Sequence, residues 1–156
     1  MSTSPISHEL IPATISDCES IAALMSEYYA YDHLRFDPDV ARTALQNLLA
    51  RKDYGTVWTV RVAGETVGYL VCTYGYSLEF GGRYALIDEL YISETHRGRG
   101  IGSEVLRSIE VYCRSLGIAV IRLEVERSNA RAAAVYRKIG FKAHDRDIMT
   151  RAGGDG

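Results

Sequence analysis

The sequence predicts a mixed α/β fold, in which a twisted, mostly antiparallel sheet carries helices on both faces. Residues 56–62 and 66–77 are rich in β-branched and aromatic side chains and are joined by a short turn, which is typical of an antiparallel hairpin. Residues 84–92, 100–116 and 118–125 read as strand, helix and strand, as in a parallel β-α-β crossover. The last of these segments is almost continuously apolar, as expected of a strand buried on both faces.

The N-terminal elements follow from start signals and helical spacing. Residues 9–14 predict a first strand, and Ser16-Asp-Cys-Glu19 has the pattern of a capping box that begins a helix running to about residue 30. Asp37-Pro38 predicts the start of a second helix, because proline fits the first helical position. The segment 28–37, YYAYDHLRFD, breaks the helical spacing and is expected to connect the two helices.

The C-terminal elements are bounded by glycine and asparagine. Gly117 is predicted to end the helix 100–116, while Asn129 begins a short helix that Gly140 ends. A last strand is expected over about 141–149. The chain ends, about 1–8 and 150–156, are expected to be flexible.

Length and composition indicate one domain over residues 1–156 and exclude several classes of protein. A net charge of −2 argues against nucleic acid or an anionic membrane as the main partner. No signal-peptide pattern and no membrane-spanning apolar run are present. Three widely spaced cysteines fit a reducing, cytoplasmic location, and the four histidines lack metal-ligand spacing, so no metal is expected.

Three alternating glycines lie between the strand 84–92 and the helix that follows it. The glycines are Gly98, Gly100 and Gly102. Arg97 precedes the first of them, and Arg99 lies between the first two. Free amides at a helix start, glycines that allow close approach and guanidinium groups together predict a phosphate or pyrophosphate site. The spacing does not fit a dinucleotide fingerprint or a P-loop. A glycine-rich loop that merely turns is the alternative.

The arrangement Arg97-x-x-Gly100-x-Gly102, after a strand ending in ELYI, resembles the coenzyme A site of the GNAT superfamily of acyl-CoA-dependent N-acetyltransferases. The segment RLEVERSNARAAAVYRKIGF, residues 122–141, is similar to the family's next strand and its asparagine-led helix. The resemblance covers about residues 84–141. It implies the GNAT fold, acetyl-CoA as cosubstrate and an amine as acceptor.

The resemblance also implies roles for individual residues. Asn129 would contact the pantetheine arm and Tyr136 would be the general acid. The pantetheine would lie along the strand backbone of Leu90, Tyr91 and Ile92. Backbone amides would bind the pyrophosphate beside Arg97, and these are the amides of Gly98, Arg99, Gly100, Ile101, Gly102 and Ser103.

Acetylation of an amine requires a base for the ammonium and an acid for the departing thiolate. Asp88 and Glu89 interrupt an apolar strand and are candidate bases, although adjacent strand residues face opposite sides unless a bulge intervenes. A structural carboxylate, paired with Arg83 or Arg122, and proton removal through water are the alternatives. Tyr136 suits the acid, because a phenol and a thiol have similar pKa values; a packed aromatic is its alternative.

The acceptor is expected to be a small cationic amine. Tyr31 and Asp32 in the segment 28–37, with Glu79 in the loop after the hairpin, combine aromatic and acidic groups that suit such an amine. An ordinary polar loop is the alternative. The pattern IDELYI…RGRGIGS resembles polyamine acetyltransferases within the superfamily.

The sequence therefore predicts transfer of acetyl from acetyl-CoA to a primary amine by direct attack in a ternary complex. The expected partner is a small-molecule amine, and the resemblance allows a homodimer. A non-catalytic CoA-binding sensor, a protein N-acetyltransferase and an unrelated nucleotide-binding domain are the competing hypotheses.

Overall fold

The computed structural model describes residues 7–154, which divide into two compact units, one up to Glu124 and one from Val125 onward. The predicted flexible ends include residues 1–6 and 155–156, which lie outside the described residues, and the prediction of a single domain stays a prediction. The strands are β1 Glu9–Pro12, β2 Gly55–Val62, β3 Glu65–Ser77, β4 Gly82–Ile92 and β5 Ile121–Leu123. The helices are α1 Cys18–Tyr31, α2 Pro38–Ala50, α3 Ile101–Ser115 and, in the second unit, α4 Ala130–Ile139.

The first unit is built on a five-stranded sheet in the order β1-β2-β3-β4-β5. The first four strands pair antiparallel, whereas β4 and β5 pair parallel. Helix α3 connects these two parallel strands, so the predicted hairpin and the predicted crossover are both confirmed.

Helices cover both faces of this sheet, as predicted. Helices α1 and α2 pack on one face through a buried cluster that includes Ile21, Leu45 and Tyr69. On the other face, the ring of Tyr112 in α3 meets Trp58 edge to face at 5.1 Å. Because both faces are covered, strand β3 is buried over most of its middle.

Three local predictions differ from the structure: the capping box of the first helix, the length of the strand 118–125 and the strand over 141–149. The first helix is preceded by a 3₁₀ turn, in which the Asp17 carboxylate accepts a hydrogen bond from the Thr14 amide at 2.8 Å. Thr14-x-x-Asp17 matches the capping pattern as well as the predicted Ser16-x-x-Glu19 does, and Glu19 instead pairs with Arg42 at 2.8 Å.

The other two concern strands. The predicted strand 118–125 shortens to Ile121–Leu123. The segment 141–149 is described throughout and forms no strand. Its charged side chains are mostly exposed, and it lacks the apolar alternation that would favour pairing.

The predicted helix ends are confirmed. Gly117, with φ of +78°, follows α3, and Gly140, with φ of +119°, ends α4. No helix within residues 7–154 is both long enough and apolar enough to cross a membrane.

Candidate active site

A β-bulge in β4 decides where the two strand carboxylates point. Val71 of β3 lies opposite Glu89, and the next residue, Cys72, lies opposite Ile87, so Asp88 is an extra residue in β4. The extra residue interrupts the alternation of side chains between the two faces of the strand. Asp88 and Glu89 consequently line the same cavity.

This cavity has a volume of about 540 Å³ and lies on the face of the sheet that α1 and α2 cover. Its size is that of a small-molecule site. Its wall is mostly apolar, formed by Met25, Phe36, Val40, Ala41, Ala44, Leu45, Leu48 and Val71. Its polar lining consists of Tyr29, Arg35, Asp37, Asp88 and Glu89.

The carboxylate of Glu89 is held by two tyrosines. The Tyr69 hydroxyl donates to Glu89 Oε1 and the Tyr29 hydroxyl donates to Glu89 Oε2, each at 2.7 Å. Burial raises the pKa of Glu89, and the two hydrogen bonds oppose that rise. Burial and the neighbouring carboxylate raise the pKa values of Tyr29 and Tyr69, so both hydroxyls remain protonated donors at neutral pH.

The arginine pairing considered for these carboxylates is not seen. The Arg83 guanidinium lies over the Tyr74 ring at 4.7 Å, and the Arg122 guanidinium lies over the Phe80 ring at 5.3 Å. Both arginines therefore pack against aromatic rings of the sheet and its adjoining turn rather than against Glu89.

Asp88 differs from Glu89 in having no side-chain partner. Among residues 7–154, its carboxylate makes no hydrogen bond or ion pair. Its side chain is exposed, because it opens into the cavity, yet the surrounding protein atoms exclude enough water to raise its pKa by desolvation. A carboxylate of this kind is accessible to a ligand and more basic than an ordinary aspartate.

Tyr31, Asp32 and Glu79 lie apart from the lining of this cavity. The predicted acceptor segment 28–37 nevertheless contributes four residues to that lining, namely Tyr29, Arg35, Phe36 and Asp37. Helix α1 extends to Tyr31, whose 64% exposed ring lies 4.6 Å from the Arg97 guanidinium. Asp32 follows as the C-cap of α1, and Glu79 is exposed in the turn before β4. Their binding roles stay predictions.

The glycine segment has an open surface at the start of α3. Gly98 and Gly100 adopt left-handed φ values of +75° and +80°. A Cβ atom placed on Gly98, Gly100 or Gly102 would meet no heavy atom within 4 Å. The amides of Ile101, Gly102 and Ser103 belong to the first helical turn, where they lack intrahelical partners. The geometry therefore suits an anion that approaches the backbone.

Arg97 is held beside this segment. Its Nε donates to the Ile92 carbonyl oxygen at 2.8 Å, and its guanidinium lies over the Tyr31 and Tyr91 rings at 4.6 and 5.0 Å. These contacts fix the guanidinium plane and leave further N–H donors available for a phosphate.

Strand β4 has a partly unpaired edge next to the bulge. It pairs with β3 from Gly82 to Ile92, whereas β5 pairs only with Ala85–Ile87. Within the described part of the chain, Leu90, Tyr91 and Ile92 thus have a strand partner on one side alone. Such an edge can accept an extended ligand as an added strand, although the Ile92 carbonyl already accepts from Arg97.

The second unit carries the remaining two predicted residues. Asn129 caps α4, with its side-chain oxygen accepting from the Ala132 amide at 3.1 Å. The Tyr136 ring is 6.0 Å from the Phe141 ring, in an edge-to-face arrangement. Their contacts with coenzyme A stay predictions.

Comparison with known families settles the resemblance seen in the sequence. Residues 18–141 match the model of the acetyltransferase (GNAT) family, which is well over half of the chain. The chain belongs to the GNAT family. This match confirms the family that the glycine segment and the asparagine-led helix indicated.

Two named acetyltransferases are similar to this GNAT protein. One is the L-methionine sulfoximine/L-methionine sulfone acetyltransferase of Pseudomonas aeruginosa, 28% identical over 102 residues, which are 65% of this chain and 58% of that enzyme. The chain therefore matches less than two thirds of that enzyme's length. The other is the thialysine N-epsilon-acetyltransferase of Bos taurus, 26% identical over 136 residues, covering 80% of this chain and 78% of that one.

Two solved structures superpose on most of the chain. An integron cassette protein from the Cole Harbour salt marsh metagenome aligns with a TM-score of 0.83 and 29% identity, over 94% of this chain and 91% of its own. A predicted acetyltransferase of Clostridium acetobutylicum, solved with acetyl-CoA, aligns with a TM-score of 0.78 and 16% identity, over 93% and 96%. The second likeness shows the fold.

Two functional side chains were not predicted, namely Arg35 in the cavity lining and Tyr69, which donates to Glu89. Tyr29 belongs to the predicted acceptor segment 28–37, but its contact with Glu89 was not predicted. Alternation along β3 places Tyr69 on the same face as Val71, which is a signal that could have been used. Its contact with Glu89 depends on the pairing register of β3 with β4, which the sequence of neither strand shows alone. Among residues 7–154, no group of three metal-ligating side chains is present.

Proposed function

We propose that this GNAT protein transfers an acetyl group from acetyl-CoA to the primary amine of a small molecule bound in the α1–α2 cavity. The observation that supports it most is the bulge, which brings two carboxylates with raised pKa values into one cavity beside a partly unpaired strand edge. The family relationship supports this edge as the site for the pantetheine and the open glycine segment as the site for the pyrophosphate.

In this proposal Asp88 is the proton acceptor. An amine is an ammonium ion at neutral pH and has no free electron pair until it loses a proton. Asp88 opens into the cavity without a side-chain partner, whereas both Glu89 oxygens already accept hydrogen bonds. Glu89 then acts as a fixed negative charge that favours the ammonium ion in the cavity.

The amine then attacks the thioester carbon directly. The C–N bond forms as the C–S bond breaks, and the second proton lost by the nitrogen balances the proton gained by the departing thiolate. We assign this last protonation to Tyr136, whose family position is that of the general acid. Tyr136→Phe keeps the ring, and a folded variant with unchanged kcat under rate-limiting chemistry would remove that assignment.

Two relatives support a small-molecule acceptor. The names of the Pseudomonas and bovine enzymes describe acetylation of small amino compounds. A cavity of about 540 Å³ accommodates a ligand of similar size.

The test is acetyl-CoA consumption in the presence of a panel of amines, with the acetylated product identified by mass spectrometry. We expect amine-dependent release of CoA that Asp88→Asn strongly reduces. Saturable CoA binding with no turnover on any amine would favour the sensor hypothesis. Acetylation of peptides alone would favour a protein N-acetyltransferase.

A further inference from the structure

The α1–α2 cavity contains two charged groups of opposite sign that are not paired with another side chain. Arg35 and Asp88 both line it, and within residues 7–154 neither makes a hydrogen bond or an ion pair through its side chain. An arginine and an aspartate within reach of each other can form a bidentate pair. Here they remain separate, so each is available to a ligand.

The other charged groups of the cavity have partners. Glu89 accepts from Tyr29 and Tyr69. The Asp37 side chain caps α2, with its Oδ1 accepting from the Asp39 amide at 3.0 Å and the Val40 amide at 3.3 Å. The guanidinium of Arg35 is therefore the free cation of the lining described here.

The surface that completes the cavity is apolar. The cavity that Arg35 and Asp88 line also has apolar side chains in its wall, among them Met25, Phe36, Val40, Leu48 and Val71. A complementary ligand has an anionic end, an amine and an apolar body. Placing a second cation of a polyamine near Arg35 would be repulsive, which disfavours that class of acceptor.

We infer that the acceptor is an amino carboxylate, whose carboxylate binds the Arg35 guanidinium while its amine faces Asp88. This inference rests on the proposed acetyl transfer and specifies the substrate class. Arginine suits the task because its planar fork donates two parallel hydrogen bonds to a carboxylate. An amino carboxylate is an amine that carries its own negative charge, whereas the sequence predicts a purely cationic amine.

Matched substrates separate the carboxylate from the rest of the molecule. L-leucine, L-leucinamide and isoamylamine share one apolar body, and L-lysine, L-lysinamide and cadaverine share another. We expect kcat/KM to be about 10-fold to 100-fold higher for the carboxylate of each series, which is the range for a charge-assisted hydrogen-bonded pair. Arg35→Gln should remove that preference by raising KM for the carboxylate alone, and Arg35→Lys should restore part of it.

Arg114→Gln is the matched control, because it removes the same charge from an exposed pair with Glu110 on α3. If carboxylate and amide are acetylated equally well, or Arg35→Gln weakens every substrate alike, the inference fails while the proposed function stands. If no amine in either series is acetylated, the proposed function fails. Calorimetric titration with L-leucine and L-lysine then tests carboxylate recognition by Arg35 on its own: binding lost in Arg35→Gln sustains that recognition, and absent or unaltered binding overturns it.

Discussion

At the scale of single residues, Asp88 and Glu89 are neighbours in sequence with different surroundings. Glu89 is half-buried and accepts from two tyrosine hydroxyls, whereas Asp88 opens into the cavity. Desolvation raises the pKa of both, because an ionised carboxylate loses water contacts in either position. One carboxylate is thus fixed in place while the other is accessible to an incoming proton.

Asp88→Asn keeps the side-chain shape and removes the proposed proton acceptor. We expect kcat/KM to fall by about 100-fold to 10,000-fold, the usual contribution of general base catalysis. Activity requires the ionised carboxylate, so wild-type activity should fall as pH drops through a pKa above the ordinary aspartate value. The variant should lose this limb of the pH–rate profile.

The control for this substitution is Asp53→Asn, which removes one acidic charge from an exposed pair with Arg51. A folded Asp88→Asn enzyme with near-normal kcat/KM and the same acid limb would transfer the role to Glu89 or to water.

Glu89→Gln removes the charge of Glu89, and the free energy of unfolding of the variant measures what that charge costs. The folded-state pKa of Glu89 is raised, so the folded protein holds this proton to higher pH than the unfolded chain does. The contribution of this proton to the free energy of unfolding is therefore present in acid, and it is lost as pH rises through the folded-state pKa. Relative to wild type, Glu89→Gln should become steadily more stable as pH rises above the ordinary glutamate pKa of about 4.3, until the raised folded-state pKa is passed.

Urea denaturation at a series of pH values measures this difference. A difference that stays flat or narrows with rising pH would show that the tyrosine hydrogen bonds outweigh burial and lower the pKa.

At the scale of elements, the glycine segment at the start of α3 contains glycines with different roles. One is needed for the backbone conformation, and another leaves space for a ligand. Gly100 has φ of +80°, so any substitution there strains the backbone. Gly102 has no positive φ and lies in the first turn of α3, with open space where a Cβ would be. It is the position at which steric approach can be tested without strain.

Gly102→Ala should increase stability and weaken CoA binding. Alanine is favoured over glycine by up to about 1 kcal/mol in a helix, and by less in its first turn. The added methyl group should displace the pyrophosphate and cost at least one charge-assisted hydrogen bond, which lowers affinity by about 10-fold or more. Calorimetry measures the affinity and thermal unfolding measures the stability, with Gly153→Ala in the exposed tail as control. A stabilised variant with unchanged CoA affinity would place the phosphates elsewhere.

The elements also show how far the sequence determines the site. Periodicity and glycine ends predict β2, β3, α3 and α4, because each depends on its own residues. The capping box was assigned two residues late, since two capping patterns overlap around Ser16. The bulge could not be predicted, because it arises from a mismatch in residue number between β3 and β4. The contact of Tyr69 with Glu89 depends on the pairing register of β3 with β4, and the place of Asp88 beside Glu89 in the cavity depends on the bulge.

At the scale of the whole molecule, most predicted contacts with acetyl-CoA belong to the first unit. The glycine segment, Arg97 and the partly unpaired edge of β4 all lie within residues 7–124. Ligand binding to these elements in the folded state should stabilise the protein by mass action.

CoA should therefore raise the melting temperature, while ATP and NAD at the same concentration should not. At 100 times the dissociation constant the stabilisation is about 2.7 kcal/mol, which corresponds to a rise of several degrees for a chain of this length. Differential scanning fluorimetry measures the shift. Equal stabilisation by ATP or NAD would favour an unrelated nucleotide-binding domain.

The bulge in β4 has a consequence at the level of the gene. Without residue 88, Ile87 and Glu89 would be consecutive and would lie opposite Cys72 and Val71, which are themselves consecutive. An in-frame deletion of one codon would therefore leave the ladder in register and the tyrosine contacts of Glu89 in place, while it removed the proposed proton acceptor. In this strand, a one-codon deletion would remove the reactive group as completely as a substitution of Asp88 does, and the neighbouring side chains would keep their faces in either case.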